Sequence, residues 1–194
     1  SGNGLHATQA DAAKKAKIGP NGGVIYDGTD DNHFASSDTS ITSAFITIVA
    51  KATSGSGFSV ATTVGDESTE DRMQIASRPG SQYEFRVDTN TGLFNSSLAN
   101  VDPASSLAVV TLFWDGANMF SRVNGSQIDT GAVGGSINFS TALDGLYLAS
   151  FFNGTFPFEG NLDAAVAAYN CGSALADIET IEQVLADRHE VTLP

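Results

Sequence analysis

Apolar side chains recur at every second position along much of this chain, in short runs separated by turns rich in Gly, Asn, Asp and Ser. "QYEFRVD" is the plainest case. Tyr83, Phe85 and Val87 alternate with Gln82, Glu84, Arg86 and Asp88, which predicts a strand with one solvated face. Ile41 to Ala52 departs from that rule. Phe45, Thr47 and Val49 share one parity and Ile46, Ile48 and Ala50 the other, so both faces are largely apolar. Such a run predicts a central strand covered on both sides. Ala108 to Gly116, "AVVTLFWDG", is similarly apolar. "VIYDG" (Val24 to Gly28), the extended piece after "TDDNHFASS", "FSVATTVG", "RMQIASR", "NMFSRV", "GLYLASF" and "LDAAVAAYN" are further strand candidates.

The breaks carry their own signals. "GPNGG" must turn and "SGSG" interrupts the chain. Asp115-Gly116 marks one turn, and Asn124-Gly125 is the strongest hairpin signal, because both residues tolerate positive φ. Helical periodicity is clear once, over Asp177 to Glu190. There Ile178, Ile181 and Leu185, with Val184 beside them, define an apolar face. Asp177 is the expected N-cap, and Arg188 and His189 suit the negative end of the helix dipole. Residues 1–22, polar and alanine-rich with Lys14, Lys15 and Lys17, read as an arm laid over a single domain of residues 23–194. No shift in composition divides that domain, and no repeat of fixed period is present. Ten or more short strands and one terminal helix predict an all-β sandwich of two packed antiparallel sheets.

Composition narrows the functional classes. The chain has 194 residues, 41% of them hydrophobic, enough for one well-buried core. Its net charge of -13, with no basic stripe, sets nucleic acid and anionic membranes aside as partners. No apolar run approaches the ~18 residues that a membrane-spanning helix needs. Cys171 is the single cysteine, so no internal disulfide is expected. It reads as a small packed side chain rather than a nucleophile. The chain begins "SGNG" without Met or a signal-like segment, as a processed, trimmed or partial chain would.

Several blocks, in order, resemble a known family. "SGNGLHATQADAA" is similar to a lead-in segment, and "VIYDGTDD" to a first strand and loop. "VVTLFWDGANMFSRVNG" resembles a hairpin block, and "LYLASFFNGTFPFEGNLDAAVAAYNCGSALADIETIEQVLADRH" a closing block. Together they resemble the laminin-G-like, concanavalin A-like lectin/glucanase domains of the kind found in bacteriophage structural proteins. The resemblance implies a jelly-roll β-sandwich. It also implies a non-catalytic, virion-associated adhesion module (decoration, head fibre or tail fibre) displayed on the extracellular surface of the virion. Such a module would be a homo-oligomer, with virion or capsid proteins as partners and a cell-surface glycan as ligand. A purely architectural capsid protein and a glycoside hydrolase with an unrecognised carboxylate pair are the alternatives.

Related glucanases carry a Glu-x-Asp-x-(x)-Glu run, and none is present. "GDESTEDR" (Gly65 to Arg72) supplies Asp66, Glu67, Glu70 and Asp71, but reads as a solvated loop. His6, His33 and His189 have no Ser or Asp at a recognised spacing. "DGTDDN" (Asp27 to Asn32) has oxygen ligands dense enough for Ca²⁺; its other reading is an Asx-turn network, so no cofactor is assigned. For ligand binding the candidates are Trp114 with Asp115, and Asn153 with Phe156. Each pair sets an aromatic face beside a hydrogen-bonding group, although Trp114 also suits packing at the sandwich rim. In the closing block Phe158 is expected in the core. Phe151 and Phe152, read as strand neighbours, should point in opposite directions, and Phe156 should be exposed.

Overall fold

The computed structural model describes residues 17–18, 24–27, 29, 33–36, 40–53, 58–66, 68–78, 82–96, 104, 106–140, 144–152, 155–170 and 174–194. These build a jelly-roll sandwich of two antiparallel sheets with one C-terminal helix. The seven-stranded sheet has the spatial order β1 (Lys17–Ile18), β2 (Val24–Asp27), β13 (Glu159–Tyr169), β4 (Ala44–Ala52), β9 (Ala108–Trp114), β10 (Asn118–Val123) and β11 (Ser126–Ala132). The six-stranded sheet has the order β3 (His33–Ser36), β12 (Gly145–Leu148), β5 (Ser59–Gly65), β6 (Arg72–Arg78), β7 (Gln82–Thr89) and β8 (Gly92–Ser96). Lys17–Ile18, inside the segment expected as an arm, is the edge strand β1 and pairs with β2. The rest of the arm lies outside the described residues.

The two parities of β4 have separate partners. Ala44, Ile46, Ile48 and Ala50 join Val110, Leu112 and Trp114 of β9 in the core, facing Met73, Ile75, Phe85 and Val87 of the other sheet. On the opposite side, Phe45 and Val49 of β4 and Val109 and Phe113 of β9 pack under Ile178, Leu185 and Ala186. Between those apolar contacts the hydroxyls of Thr47 and Thr111 hydrogen-bond at 3.1 Å, which makes two buried polar groups tolerable.

The helix α1 (Leu175–His189) therefore covers the outer face of the seven-stranded sheet. The expected N-cap is corrected. Ala174 holds that position, and Asp177 reaches back so that its carboxylate accepts the Ala174 N–H at 2.9 Å. Val184 is 61% exposed. It lies about 100° round the helix from Leu185, outside the stripe that starts at Ile178. The buried position belongs instead to Glu182.

Turn chemistry follows the sequence. Asn124 (φ 47°) and Gly125 (φ 77°) link β10 to β11, both in the left-handed region of a tight hairpin. Gly160 (φ 151°) is required by close approach, since a Cβ there would lie 2.2 Å from the Lys51 carbonyl oxygen across the β13–β4 pair. Phe158 is buried, as expected. The reading of Phe151 and Phe152 as strand neighbours is corrected. β12 ends at Leu148, Ala149 turns the chain at φ 61°, and the two rings then lie together with centroids 4.4 Å apart.

Candidate functional site

Among the described residues, no helix lies over the outer face of the six-stranded sheet. Its chemistry comes from the polar positions of two neighbouring strands. In the β6–β7 register, Arg72 is opposite Asp88, Gln74 opposite Arg86, Ala76 opposite Glu84 and Arg78 opposite Gln82. Because side chains alternate, all eight belong to one face, while Met73, Ile75, Phe85 and Val87 point into the core.

The segment after β12 raises one wall over that floor. Ala149 N–H donates to Ala61 O at 2.8 Å, and Val60 N–H donates to Phe156 O at 2.9 Å. These bonds tie the segment to β5 where its register shifts between Val60 and Thr62. Phe151, Phe156 and Phe58 form the wall, with centroid separations of 6.2 and 5.3 Å from Phe156. Buried Phe152 backs it and meets Tyr147 edge to face at 5.5 Å. The result is a groove of about 350 Å³ lined by these three Phe rings, by Arg72, Gln74, Glu84 and Arg86, and by Glu70 and Arg78.

The floor is polar yet mostly withdrawn from water. Arg72, Gln74 and Glu84 are all buried. Arg72 Nε donates to Gln74 Oε1 at 3.0 Å, and its Nη1 to the Glu70 carbonyl at 2.7 Å. Arg78 and Glu84 form an ion pair. Arg86 Nη2 donates to Asp88 Oδ2 at 2.6 Å. Arg86 Nε is buried with no hydrogen-bond partner among the described residues. Burial lowers the Arg72 pKa, and the like charge of Arg86 lowers it further, against the raising effect of Asp88 and Glu70. The Arg72 guanidinium lies 4.7 Å from the Phe151 ring centre and that of Arg78 5.3 Å from Phe58, so the arginine planes and aromatic rings pack as one surface. Flat guanidinium, amide and carboxylate groups beside exposed ring faces suit a ligand with many hydroxyls and an apolar face.

Of the predicted site residues, the described ones, Trp114, Asp115 and Phe156, do not come together. Trp114 is 0% exposed and its indole N–H donates to Val133 O at 2.8 Å, so the expectation that it offers a ligand an aromatic face is corrected. Asp115 Oδ1 accepts the N–H groups of Ala117 and Asn118 at 2.8 and 2.6 Å and shapes the turn between β9 and β10, away from the groove. Asn153 lies outside the described residues. Phe156, 51% exposed, is the one that lines the groove.

The loop between β5 and β6 is less solvated than its sequence predicts. Burial alone would raise the pKa of the Asp66 carboxyl, but hydrogen bonds from Ser68, Thr69 and Ser140 outweigh it and hold the group below the usual value. Burial holds the Asp71 carboxyl above the usual value, with Asp88 and Asp66 adding to the rise. In "DGTDDN", Asp27 Oδ1 accepts the Thr29 N–H at 2.9 Å, an Asx turn; Asp30, Asp31 and Asn32 lie outside the described residues. Among the described residues no group of three or more His, Cys, Asp or Glu is placed to hold a metal ion, and no helix is long and apolar enough to cross a membrane. His6, Glu67 and Cys171 are outside the described residues.

The groove residues were visible in the sequence only as polar positions. Arg72, Gln74 and Arg78 alternate in "RMQIASR", and Glu84 and Arg86 in "QYEFRVD". The usable signal was charge. Three of the five arginines in this acidic chain fall on two adjacent strands with the same parity.

No family model matches the chain, and no curated protein matches it. Solved structures do. The CBM40 of the Ruminococcus gnavus IT-sialidase bound to α2,3-sialyllactose aligns with a TM-score of 0.59 at 14% identity, over 73% of this chain and 83% of that one. The binding domain of botulinum neurotoxin DC, in complex with SialylT, aligns with a TM-score of 0.63 at 14% identity, over 94% of this chain and 47% of that one. A heptameric SAP-like pentraxin from Limulus polyphemus aligns with a TM-score of 0.55 at 12% identity, over 74% and 73%. At such identities the likeness establishes the fold, a lectin-like jelly roll.

Proposed function

We propose that this chain is a non-catalytic glycan-binding module whose site is the groove on the outer face of the six-stranded sheet. The observation that carries the reading is the floor of Arg72, Gln74, Glu84 and Arg86 set against the Phe58, Phe151 and Phe156 wall. Planar polar side chains present paired hydrogen-bonding atoms, as vicinal hydroxyls do, and an exposed ring offers a surface to the C–H face of a sugar. The carboxylates nearest the arginines are opposed by them. Glu84 pairs with Arg78, Asp88 with Arg86, and Glu70 lies 3.5 Å from Arg72. That arrangement suits a binding floor better than an acid and nucleophile pair, which needs one free carboxylate and one of raised pKa. One of the similar folds, the CBM40 of the Ruminococcus gnavus IT-sialidase, was solved with α2,3- and with α2,6-sialyllactose by its own descriptions, which supports testing sialylated glycans first.

The virion setting rests on the resemblance of the hairpin and closing blocks to bacteriophage structural domains. On that reading the module is displayed on a particle surface as part of a homo-oligomer and attaches the particle to glycans. A glycan array tests the binding. The expected result is a defined subset of bound glycans that Phe156→Ala no longer holds. Binding to none, or a pattern unchanged in Phe156→Ala, contradicts the site. Mass spectrometry of purified particles tests the setting, which fails if the chain is absent from them.

A further inference from the structure

We infer that the groove selects a sugar with one carboxylate attached directly to its pyranose ring, and that Arg72 and Arg86 seat that carboxylate; this rests on the glycan-binding reading above. The two arginines stand on adjacent antiparallel strands, on the same face, offset by one cross-strand pair. Diagonal neighbours of this kind lie roughly 7–8 Å apart at the backbone, close enough for two long side chains to meet one anion. Arg78 and Glu84 neutralise each other. What is left is Arg72 and Arg86, each only partly countered.

Glu70 stands 3.5 Å from Arg72 Nη1 on a side chain that is 66% exposed, a weak, screened contact. Asp88 engages one nitrogen of Arg86, and the buried Nε has no partner among the described residues. The hydroxyl of Thr63, whose residue pairs with Gln74 in the sheet, is likewise buried without a partner among them. Unpaired buried donors are costly, and more so on a charged group. Like-charge repulsion between the two guanidiniums adds to that cost. A carboxylate supplies two acceptor oxygens in the fork geometry that guanidinium matches, and it relieves the repulsion. Because the Arg86 Nε is buried, the side chain must turn toward the groove to offer its N–H edge.

The same groove also limits how much negative charge it accepts. Glu70 and Asp88 flank the arginines, and the chain as a whole carries -13. A polysulfated chain is repelled by that field, whereas one carboxylate on a ring that lies against Phe156 is not. A terminal nonulosonic acid and a hexuronic acid both have this chemistry.

Calorimetric titration with two matched pairs tests the inference: 3′-sialyllactose against its methyl ester, and the methyl glycoside of galacturonic acid against its methyl ester, each at low and high salt. In at least one pair the acid is expected to bind about 10-fold or more tightly than its neutral partner. That preference should shrink with salt, vanish in Arg86→Gln and fall part-way in Arg86→Lys, which keeps charge but loses the fork. Phe156→Ala should weaken acid and neutral forms alike. The pair that shows the preference identifies the source of the carboxylate. Equal affinity within both pairs, or a preference that survives in folded Arg86→Gln and Arg72→Gln, overturns the inference while leaving glycan binding standing. Failure of every sugar, here and on the array, overturns the glycan-binding reading and this inference with it.

Discussion

The two outer faces of the sandwich each contain a buried arginine, and the two are treated differently. Arg122 on β10 and Arg72 on β6 are both 6% exposed. Arg122 lies under the helix with its Nε and Nη2 both engaged. Its Nε reaches both carboxylate oxygens of Glu182 at 3.1 and 3.0 Å, and its Nη2 donates to Gly125 O at 2.6 Å. Arg72 lies in the open groove, its Nε and Nη1 engaged by Gln74 and the Glu70 carbonyl, beside Arg86, which repels it and whose Nε has no partner among the described residues. An arginine bound to its own buried carboxylate closes a structure. Two like-charged arginines that share too few acceptors keep binding capacity in reserve. The difference separates the face that holds the fold together from the face proposed to bind.

That contrast predicts effects of different kinds. The largest belongs to the covered face. Glu182→Gln leaves the buried Arg122 charge with only the half-exposed Glu179 carboxylate, 3.3 Å from its Nη2, and should lower stability by about 3 kcal/mol in urea denaturation. The double variant Arg122→Met/Glu182→Leu should recover most of the loss. A cost below about 1 kcal/mol for Glu182→Gln would remove the ion pair from the account of this face.

Next in size is the loop between β5 and β6, which ends at Arg72. The Asp66 pKa is depressed, so its contribution is present above the ordinary carboxylate pKa and is lost as pH falls through the folded value. Asp66→Asn should therefore lower Tm near neutral pH by roughly 5 °C, and the gap should close in acid. The Asp71 pKa is raised, so its ionisation disfavours folding once pH exceeds the unfolded value. Asp71→Asn should leave neutral-pH stability unchanged or higher, and its curve should meet the wild type in acid. Thermal melts of the three proteins across pH check both signs.

On the open face the effect shifts from stability to binding. Phe156→Ala should weaken glycan affinity about 10-fold while stability moves by less than about 1 kcal/mol, because the ring is half in water. The smallest effect is expected at Val184, where a change to Lys should stay within about 0.5 kcal/mol in the same denaturation assay. A larger loss there would restore Val184 to the apolar face of the helix.

The covered face was the more legible in the sequence. Two apolar parities in Ile41 to Ala52 announced a strand with partners on both sides, and the helical period of Ile178, Ile181 and Leu185 announced the element that supplies one of them. Their meeting was not legible, since neither pattern encodes which surface of a sandwich a helix lies on. Arg122 and Glu182 are 60 residues apart, and their pairing appears only in the fold. Asn124-Gly125 was readable because a tight hairpin depends on two adjacent residues. The groove was hidden for the opposite reason. Glu84 and Arg86 carry an ordinary solvated alternation, and only the rings of Phe151 and Phe156, held beside β5, turn that face into a pocket. Trp114 misled because a large aromatic beside an Asp at a strand end looks the same whether its ring turns inward or outward.

The central claim is that recognition lies on the open sheet face. A ¹⁵N NMR titration with the acidic sugar that binds tests it most directly. The account predicts that amide and side-chain shifts gather at Arg72, Gln74, Glu84, Arg86, Phe151 and Phe156, while the Trp114 indole N–H, bonded to Val133 in the core, stays still. Shifts that gather instead at the Asp115 turn or along the helix, with the β6–β7 face unmoved, would contradict it.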